Sequence, residues 1–242
     1  MLFQQDIIAK TATIISLVNG FLTLLFPKVT IKIYGPPSTA LHEHIIHVVG
    51  VTNATLGLLF YFMIFQELSL AESVGWCQII WLIEPIRNLS MGLSKKLGNP
   101  IILEIFPLCM ASTIIYSCLI QSSYSDIAAE AFGYFSLVTG VSKLVDPELD
   151  SKAWGCTDKK NARELSTMRT IGYFFLSIGT FVASVARGYS KYQAVGLAWI
   201  PIFACTFAPF FVTNEVKDHN LNVRALLPWF VIHAIIIGSL VL

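Results

Sequence analysis

The stretch SLVNGFLTLLFPKVTIKIYG, residues 16–35, occurs in this chain a second time in altered form. It aligns without a gap with SLVTGVSKLVDPELDSKAWG, residues 136–155. Ser, Leu, Val, Gly, Leu, Pro, Lys and Gly coincide along the alignment. Matched Gly and Pro residues reflect requirements of the backbone and not only hydrophobicity. The stretch therefore predicts that the chain contains an internal duplication.

The match continues beyond this stretch. Three further groups of residues correspond between the halves: His47, Gly50 and Gly57 with Arg169, Gly172 and Gly179; Gly75 with Gly196; and Pro107 with Pro228. These correspondences predict two repeats, residues 1–122 and residues 123–242, which we call copy one and copy two.

The composition is typical of an integral membrane protein. Of the 242 residues, 55% are hydrophobic and 13% are charged, whereas soluble domains carry about 25% charged residues. The mean hydropathy is +0.69. A formal net charge of +1 gives no basis for a nucleic-acid partner.

Eight apolar segments approach the length of about 20 residues that a membrane helix needs. They lie at residues 11–27, 44–66, 74–92, 101–121, 128–145, 168–186, 192–212 and 224–242. The predicted fold class is therefore an all-α membrane protein with eight transmembrane helices in two four-helix repeats. Because four is an even number, the two copies should be parallel, with a pseudo-twofold axis along the membrane normal.

The basic residues predict how the chain is oriented. Of the 16 Lys and Arg residues, only Lys10, Arg187 and Lys191 fall on the side of the two termini. Since basic residues accumulate on the cytosolic side of a membrane, we expect a multi-pass protein whose termini both lie on the opposite, non-cytosolic side.

A histidine-rich stretch, LHEHIIHVVG at residues 41–50, begins the second predicted helix. One helical face offers too few ligands for a metal centre, so no metal site is predicted. His47 should lie at the same depth as Glu84, Arg87 and Glu104, near the ends of three adjacent helices. Either these groups pair for structural reasons, or they form a binding site for a polar headgroup, proton or ligand. On helical phase, His42 should instead face solvent or headgroups.

Copy two lacks this set of ionisable residues. Arg169 corresponds to His47, while Cys205 and Ala225 correspond to Glu84 and Glu104. If the cluster is a binding site, it belongs to copy one.

Each copy resembles the DoxX-like families of four-helix membrane proteins. The resemblance rests on matched positions in the two copies: Pro27, Gly35, His47, Gly50 and Gly57, then Pro147, Gly155, Arg169, Gly172 and Gly179. Arg87 and Glu104 match polar positions of the third and fourth helices. His47 replaces the usual arginine, and the tandem arrangement departs from a single unit. The resemblance implies a membrane-embedded helical unit, and these families include accessory subunits of redox complexes.

Three functions are compatible with these features. The favoured hypothesis is a non-catalytic accessory or scaffold subunit of a larger membrane complex. The second is a small transporter or lipid-binding protein that uses the copy-one cluster. The third is a membrane-embedded isomerase with Glu84 or Glu104 as acid–base. No cofactor is predicted, and the expected partners are bound membrane lipids and other membrane-protein subunits.

Overall fold

A computed structural model describes residues 2–34, 39–96, 100–120, 122–153, 162–212 and 222–241. Within these ranges the chain is helical and contains no β-strand. Gly35 and Gly155, which contributed to the predicted repeat, lie outside the described residues. The all-helical fold class is therefore confirmed for the described part of the chain.

Twelve α-helices follow one another along the described residues. They are α1 (Leu2–Leu25), α2 (Pro27–Tyr34), α3 (Ala40–Ile64), α4 (Leu70–Cys77), α5 (Ile79–Met91), α6 (Leu93–Lys96), α7 (Ile102–Ile115), α8 (Ser125–Val145), α9 (Pro147–Ala153), α10 (Ala162–Ala186), α11 (Lys191–Phe211) and α12 (Val223–Val241). A π-helical turn, Tyr116–Ile120, extends α7, and a 3₁₀ turn, Ser122–Tyr124, precedes α8.

Six of these helices are long and apolar enough to cross a membrane. They cover Gln4–Leu25, Leu41–Ile64, Ile102–Ile120, Arg163–Ala186, Lys191–Phe211 and Val223–Val241. Six such helices in one chain define a multi-pass integral membrane protein. They correspond to six of the eight segments that the sequence predicted.

The other two predicted segments, residues 74–92 and 128–145, do not meet the same criteria. The first is divided between α4 and α5, because at Gln78 the backbone changes to three-residue hydrogen bonding. The Gln78 N–H donates to the carbonyl of Gly75 at 3.3 Å, and the Trp81 N–H donates to that of Gln78 at 2.9 Å. The second segment lies in α8, which is 21 residues long but carries several charged side chains.

Polar contacts gather several helix ends at one end of the bundle. Lys191, at the start of α11, forms an ion pair with Glu67 at 3.3 Å, just beyond the end of α3. The Tyr192 hydroxyl donates to Asp6, near the start of α1, at 3.3 Å. The last turn of α12 is here as well, because Leu240 packs against Gly196 of α11. We call this the first end.

The opposite, second end is joined by a different set of contacts. The Thr39 hydroxyl donates to Glu164 at 2.5 Å, which connects the starts of α3 and α10. The Asn222 amide donates to the carbonyl of Ile33 at 3.1 Å, which connects the start of α12 to α2. Helices α1 and α11 therefore run from the first end to the second, and α3, α10 and α12 run in the opposite direction.

Helices α3 and α10 form the centre of the bundle. In the most apolar 18-residue stretch of each helix, 72% of the residues of α3 and 61% of those of α10 are buried. In the other four long helices the share is 33% or less. The rings of Phe60 and Phe181 meet edge to face where the two helices pack, with centroids 4.9 Å apart.

Glycine residues allow the backbones of α3 and α1 to come into direct contact. A Cβ atom added to Gly50 would lie 2.3 Å from the backbone nitrogen of Leu24. In the pair formed by α8 and α10, a Cβ at Gly172 would lie 2.9 Å from the carbonyl oxygen of Gly140. Small residues of this kind let membrane helices pack closely.

Candidate functional site

The central contact of the predicted cluster joins α3 to α5. His47 lies on α3 and is 8% exposed, while Glu84 lies on α5 and is 6% exposed. His47 Nδ1 is 2.8 Å from the carbonyl oxygen of Leu24 on α1. Its other ring nitrogen, Nε2, is hydrogen-bonded to Glu84 Oε2. His47 therefore connects three helices at one point.

These two hydrogen bonds together require two protons on the His47–Glu84 pair. A carbonyl oxygen only accepts, so His47 Nδ1 carries a hydrogen and donates to Leu24. His47 Nε2 can then contact the carboxyl of Glu84 only if one further proton is shared by the pair. That proton lies either on the imidazole, which makes the contact an ion pair, or on the carboxyl. The pair is thus a buried proton-holding unit.

Asn88 extends the network to α7. Its amide nitrogen donates to Glu84 Oε1 at 3.1 Å and to Glu104 Oε2 at 3.0 Å. Asn88 is 2% exposed and Glu104 is 5% exposed. Asn88 was not among the predicted site residues, although it lies four residues after Glu84 and hence on the same helical face.

Arg87 occupies the edge of this cluster. Its guanidinium Nη1 is 3.4 Å from Glu84 Oε2, and its side chain is 39% exposed. At this distance and exposure the contact with Glu84 is weak. The guanidinium of Arg87 is therefore accessible to a group outside the cluster. We call His47, Glu84, Arg87, Asn88 and Glu104 the polar cluster.

The polar cluster opens into a groove of about 690 Å³ along α1. Its walls are mainly apolar and include Phe21, Leu25, Val29 and Ile83, while His47, Glu84 and Arg87 contribute the polar part. Lys28 also lines the groove, and its side chain is 75% exposed. The groove thus combines a long apolar wall with two exposed cations, Arg87 and Lys28, which also contact Glu84 at 3.4 Å and Glu43 at 3.7 Å. This combination is suited to a molecule with an apolar chain and an anionic head.

The structure therefore brings the four predicted residues together at one end of copy one. Within the described ranges, no three His, Cys, Asp or Glu side chains are placed to hold a metal ion. His44, one turn before His47, lies within electrostatic range of Glu84 and Glu104. Whether the cluster binds a ligand remains a prediction.

The predicted position of His42 was wrong. His42 is 3% exposed and faces neither solvent nor headgroups. Its Nε2 lies 2.9 Å from the hydroxyl oxygen of Thr167 on α10. Helical phase correctly directs His42 away from His47, but the face on which it lies packs against α10, because the starts of α3 and α10 adjoin.

Copy two has a different environment at the corresponding positions. Cys205, which aligns with Glu84, and its neighbour Thr206 line a partly open cavity between α1, α3, α10, α11 and α12, which we call the interior cavity. Arg169, which aligns with His47, is partly exposed. Comparisons with known proteins give no identification: no family model, no curated protein and no solved structure matches this chain.

Proposed function

We propose that this chain is a non-catalytic multi-pass membrane protein that binds an anionic membrane lipid at the polar cluster. The observation that carries the proposal is the groove along α1, whose apolar wall ends at Arg87 and Lys28. A lipid phosphate or carboxylate would meet these two cations, and its acyl chain would lie against Phe21 and Leu25. Each cation near a lipid headgroup contributes about 1 kcal/mol.

The architecture we propose is two parallel, DoxX-like four-helix repeats that together make eight membrane crossings. The matched glycines of α1–α3 and α8–α10 support a repeated helix pair. At 1.5 Å per residue, the 21 residues of α8 span roughly 31 Å, about the thickness of the hydrocarbon layer. Helices α4 and α5 together would make the remaining crossing. Both termini would lie on the less basic, non-cytosolic side.

Cysteine labelling in sealed vesicles tests this topology. Single cysteines at Glu67 and Tyr189 should react from the non-cytosolic side, and single cysteines at Lys95 and Glu148 only from the cytosolic side. Labelling of Glu148→Cys from the same side as Glu67→Cys would contradict eight crossings in two parallel repeats.

Native mass spectrometry tests the lipid proposal. The purified chain would be placed in nanodiscs that contain equal amounts of phosphatidylglycerol and phosphatidylcholine. About thirtyfold enrichment of retained phosphatidylglycerol is expected, which corresponds to about 2 kcal/mol for the two cations. The enrichment should be lost in Arg87→Gln/Lys28→Gln and kept in Lys95→Gln, which changes an exposed lysine on α6. Equal retention of both lipids by the unaltered chain would overturn the proposal.

Membership of a larger membrane complex, as an accessory or scaffold subunit, remains a prediction. The same mass spectrometry, applied to chain purified gently from its own membrane, tests it by reporting the proteins that accompany the chain. Reproducible stoichiometric subunits are expected, and purification of the chain with lipid alone would contradict this role.

One observation favours a second function, an isomerase of hydrophobic substrates. The shared proton of His47 and Glu84 lies beside the groove, where it could be exchanged with a substrate carbon. Incubation with extracted membrane lipids in D₂O would then place deuterium on carbon, and Glu84→Gln would prevent this. A wild-type chain that introduces no deuterium contradicts the isomerase function and leaves lipid binding unaffected.

A further inference from the structure

The interior cavity, which has a volume of about 230 Å³, is continuous with a groove on the outer surface of the bundle. The groove has a volume of about 610 Å³ and runs between α1, α2 and α12. Ile15, Asn19, Thr30 and Trp229 line both the cavity and the groove. The two spaces therefore join between α1 and α12. We call this junction the lateral opening.

The outer groove faces the hydrocarbon layer of the membrane. Ile14, Val18 and Leu22 follow one another on successive turns of α1, and they are 51%, 52% and 51% exposed. All three line the groove and lie within a helix that is long and apolar enough to cross a membrane. The acyl chains of the bilayer therefore reach this groove, and through it the lateral opening.

The inner side of the lateral opening carries polar groups that the protein leaves unmatched. Ser16, Asn19 and Thr23 of α1 and Asn53 of α3 line the interior cavity. Their side chains make no hydrogen bond among the described residues. We call these four side chains the polar strip.

The polar strip is presented to the cavity. Ser16, Thr23 and Asn53 are only 3%, 4% and 3% exposed. Their oxygen and nitrogen atoms nevertheless do not belong to the unpartnered polar atoms that are sealed off completely, as the Nδ1 atoms of His42 and His233 are. They therefore keep accessible surface, and the cavity that they line is the space that this surface meets.

The members of the polar strip lie close to one another. Ser16, Asn19 and Thr23 share one face of α1 and extend over about 10 Å along the helix axis. Asn53 adjoins this face, because a Cβ atom added to Gly20 would lie 2.9 Å from the carbonyl carbon of Asn53. The strip thus presents two carboxamides and two hydroxyls together beside the lateral opening.

The chemistry of the strip limits what can occupy the cavity. Carboxamides and hydroxyls each donate and accept hydrogen bonds, and buried groups of this kind are usually satisfied by protein or by something bound. A molecule with one hydrogen-bonding atom would leave most of the strip unmatched. The arrangement favours a head group that carries several donors and acceptors.

The charge of the lining limits the occupant further. Arg163 is the one lining residue with a permanent charge, and it lies on the first turn of α10 at the second end. The polar strip instead lies within the membrane-crossing part of α1. An ionic head beside the strip would be costly without a counter-ion, so the head group should be uncharged.

We infer that the interior cavity and the lateral opening bind an uncharged acylglycerol. The glycerol hydroxyls and the ester form hydrogen bonds with the polar strip, and the acyl chain passes through the lateral opening into the outer groove. This site is distinct from the anionic-lipid site, because the interior cavity shares no described lining residue with the groove at the polar cluster.

Competitive lipid retention tests the inference. The full chain would be placed in phosphatidylcholine nanodiscs that contain equal amounts of monooleoylglycerol and methyl oleate. These two probes share an acyl chain and an ester and differ in the glycerol hydroxyls. Native mass spectrometry should show about tenfold preferential retention of monooleoylglycerol, the ratio that two neutral hydrogen bonds supply. Equal retention of the two probes overturns the inference.

Removing the carboxamides tests the polar strip. Asn19→Leu/Asn53→Leu takes away two hydrogen-bonding groups and should reduce the preference to about twofold or less. Gln66→Leu is the matched control, because it removes an exposed carboxamide beyond the end of α3 that bonds to the Tyr61 hydroxyl. The preference should persist in this control. A preference that persists in the double variant as well overturns the inference.

Obstructing the outer groove tests the path of the acyl chain. Val18→Trp adds bulk at an exposed position, so the fold is not at risk, and most of the retained monooleoylglycerol should be lost. Val138→Trp, at a 70% exposed position of α8, should retain it. Equal retention in these two variants overturns the inference, and so does a high-resolution map with ordered water alone in the cavity. Phosphatidylglycerol enrichment at the polar cluster is measured separately, so either site can fail without the other.

Discussion

At the second end, the aligned positions of the two predicted copies carry different kinds of side chain. In copy one, Glu84 and Asn88 join α5 to α3 and α7 through buried hydrogen bonds. In the proposed alignment, Cys205 and Pro209 of copy two occupy these positions, and both line the interior cavity. The aligned positions thus carry a polar network in one half of the chain and border a cavity in the other.

The helix crossings differ in the same way. Phe175 of copy two packs against Trp81 with ring centroids 5.6 Å apart, and it fills that part of the interior. The residue that aligns with Phe175 in copy one is Asn53, a much smaller side chain that borders the cavity. In the proposed alignment, the two halves of the chain therefore differ here in the volume and polarity of a few side chains.

The largest effect is expected at Glu84. Replacing Glu84 with alanine leaves His47, Arg87 and Asn88 without their shared acceptor. Breaking a buried ion pair by removing one partner typically costs about 3–5 kcal/mol. Reversible unfolding in mixed detergent should show a loss of this size, and Cys205→Ala in copy two should cost much less. If the two variants were equally stable, the contrast between the copies would be wrong.

A second effect concerns the glycine contacts. Gly50→Ala places a methyl group against the α1 backbone at 2.3 Å, while Gly172→Ala meets an oxygen at 2.9 Å. Overpacking costs about 1–3 kcal/mol, and Gly50→Ala should reach the upper part of that range. Gly238→Ala is the control, because a Cβ there meets nothing within 4 Å. The measured loss of unfolding free energy should be larger for Gly50→Ala than for Gly172→Ala. Gly238→Ala should be neutral or slightly stabilising.

The polar cluster could be predicted from the sequence to a greater extent than the interior cavity. Apolar length and helical phase were enough to bring His47, Glu84, Arg87 and Glu104 to one depth, because these residues lie on sequence-adjacent helices. Asn88 could also have been found, since it lies one turn after Glu84 on α5.

The interior cavity could not be predicted in the same way. Its wall combines α1 and α3 with helices more than 100 residues away in the sequence. Helical phase shows which residues share a face but not which partner that face meets. The same lack of tertiary information explains why His42 was assigned to solvent or headgroups. The division of the third segment at Gln78 depends on backbone hydrogen bonding, which hydropathy does not report.

A third, smaller effect is expected at His47. His47→Ala leaves the Leu24 carbonyl without a donor, but Glu84 keeps Arg87 and Asn88. The cost of a buried group left unsatisfied is about 1–3 kcal/mol. In a double-mutant cycle, His47→Ala and Glu84→Ala should together cost less than the sum of the two single changes. Additive costs would show that the two side chains do not act as a pair.

The smallest effect concerns two helix starts that differ in one titratable group. At the start of α4, the Glu72 N–H donates to Ser69 Oγ at 3.3 Å, and the Ser69 N–H donates to the Glu72 carboxylate at 3.0 Å. Ser190 and Gln193 make the same reciprocal pair at the start of α11, at 3.2 and 3.3 Å. Both arrangements are capping boxes, but only the one in copy one contains an acid.

The acid makes the α4 cap sensitive to pH. Hydrogen bonds from the Ser69 side chain and backbone lower the pKa of Glu72 below its ordinary value. At a pH above the ordinary pKa of a glutamate, the Glu72 carboxylate therefore stabilises the start of α4. This stabilisation is lost as the pH falls through the lowered pKa of Glu72. Hydrogen exchange, corrected for intrinsic rates, should show protection at residues 70–73 declining on acidification while protection at residues 191–194 does not. Glu72→Gln should make the two starts behave alike; if the difference persists in that variant, another group causes it.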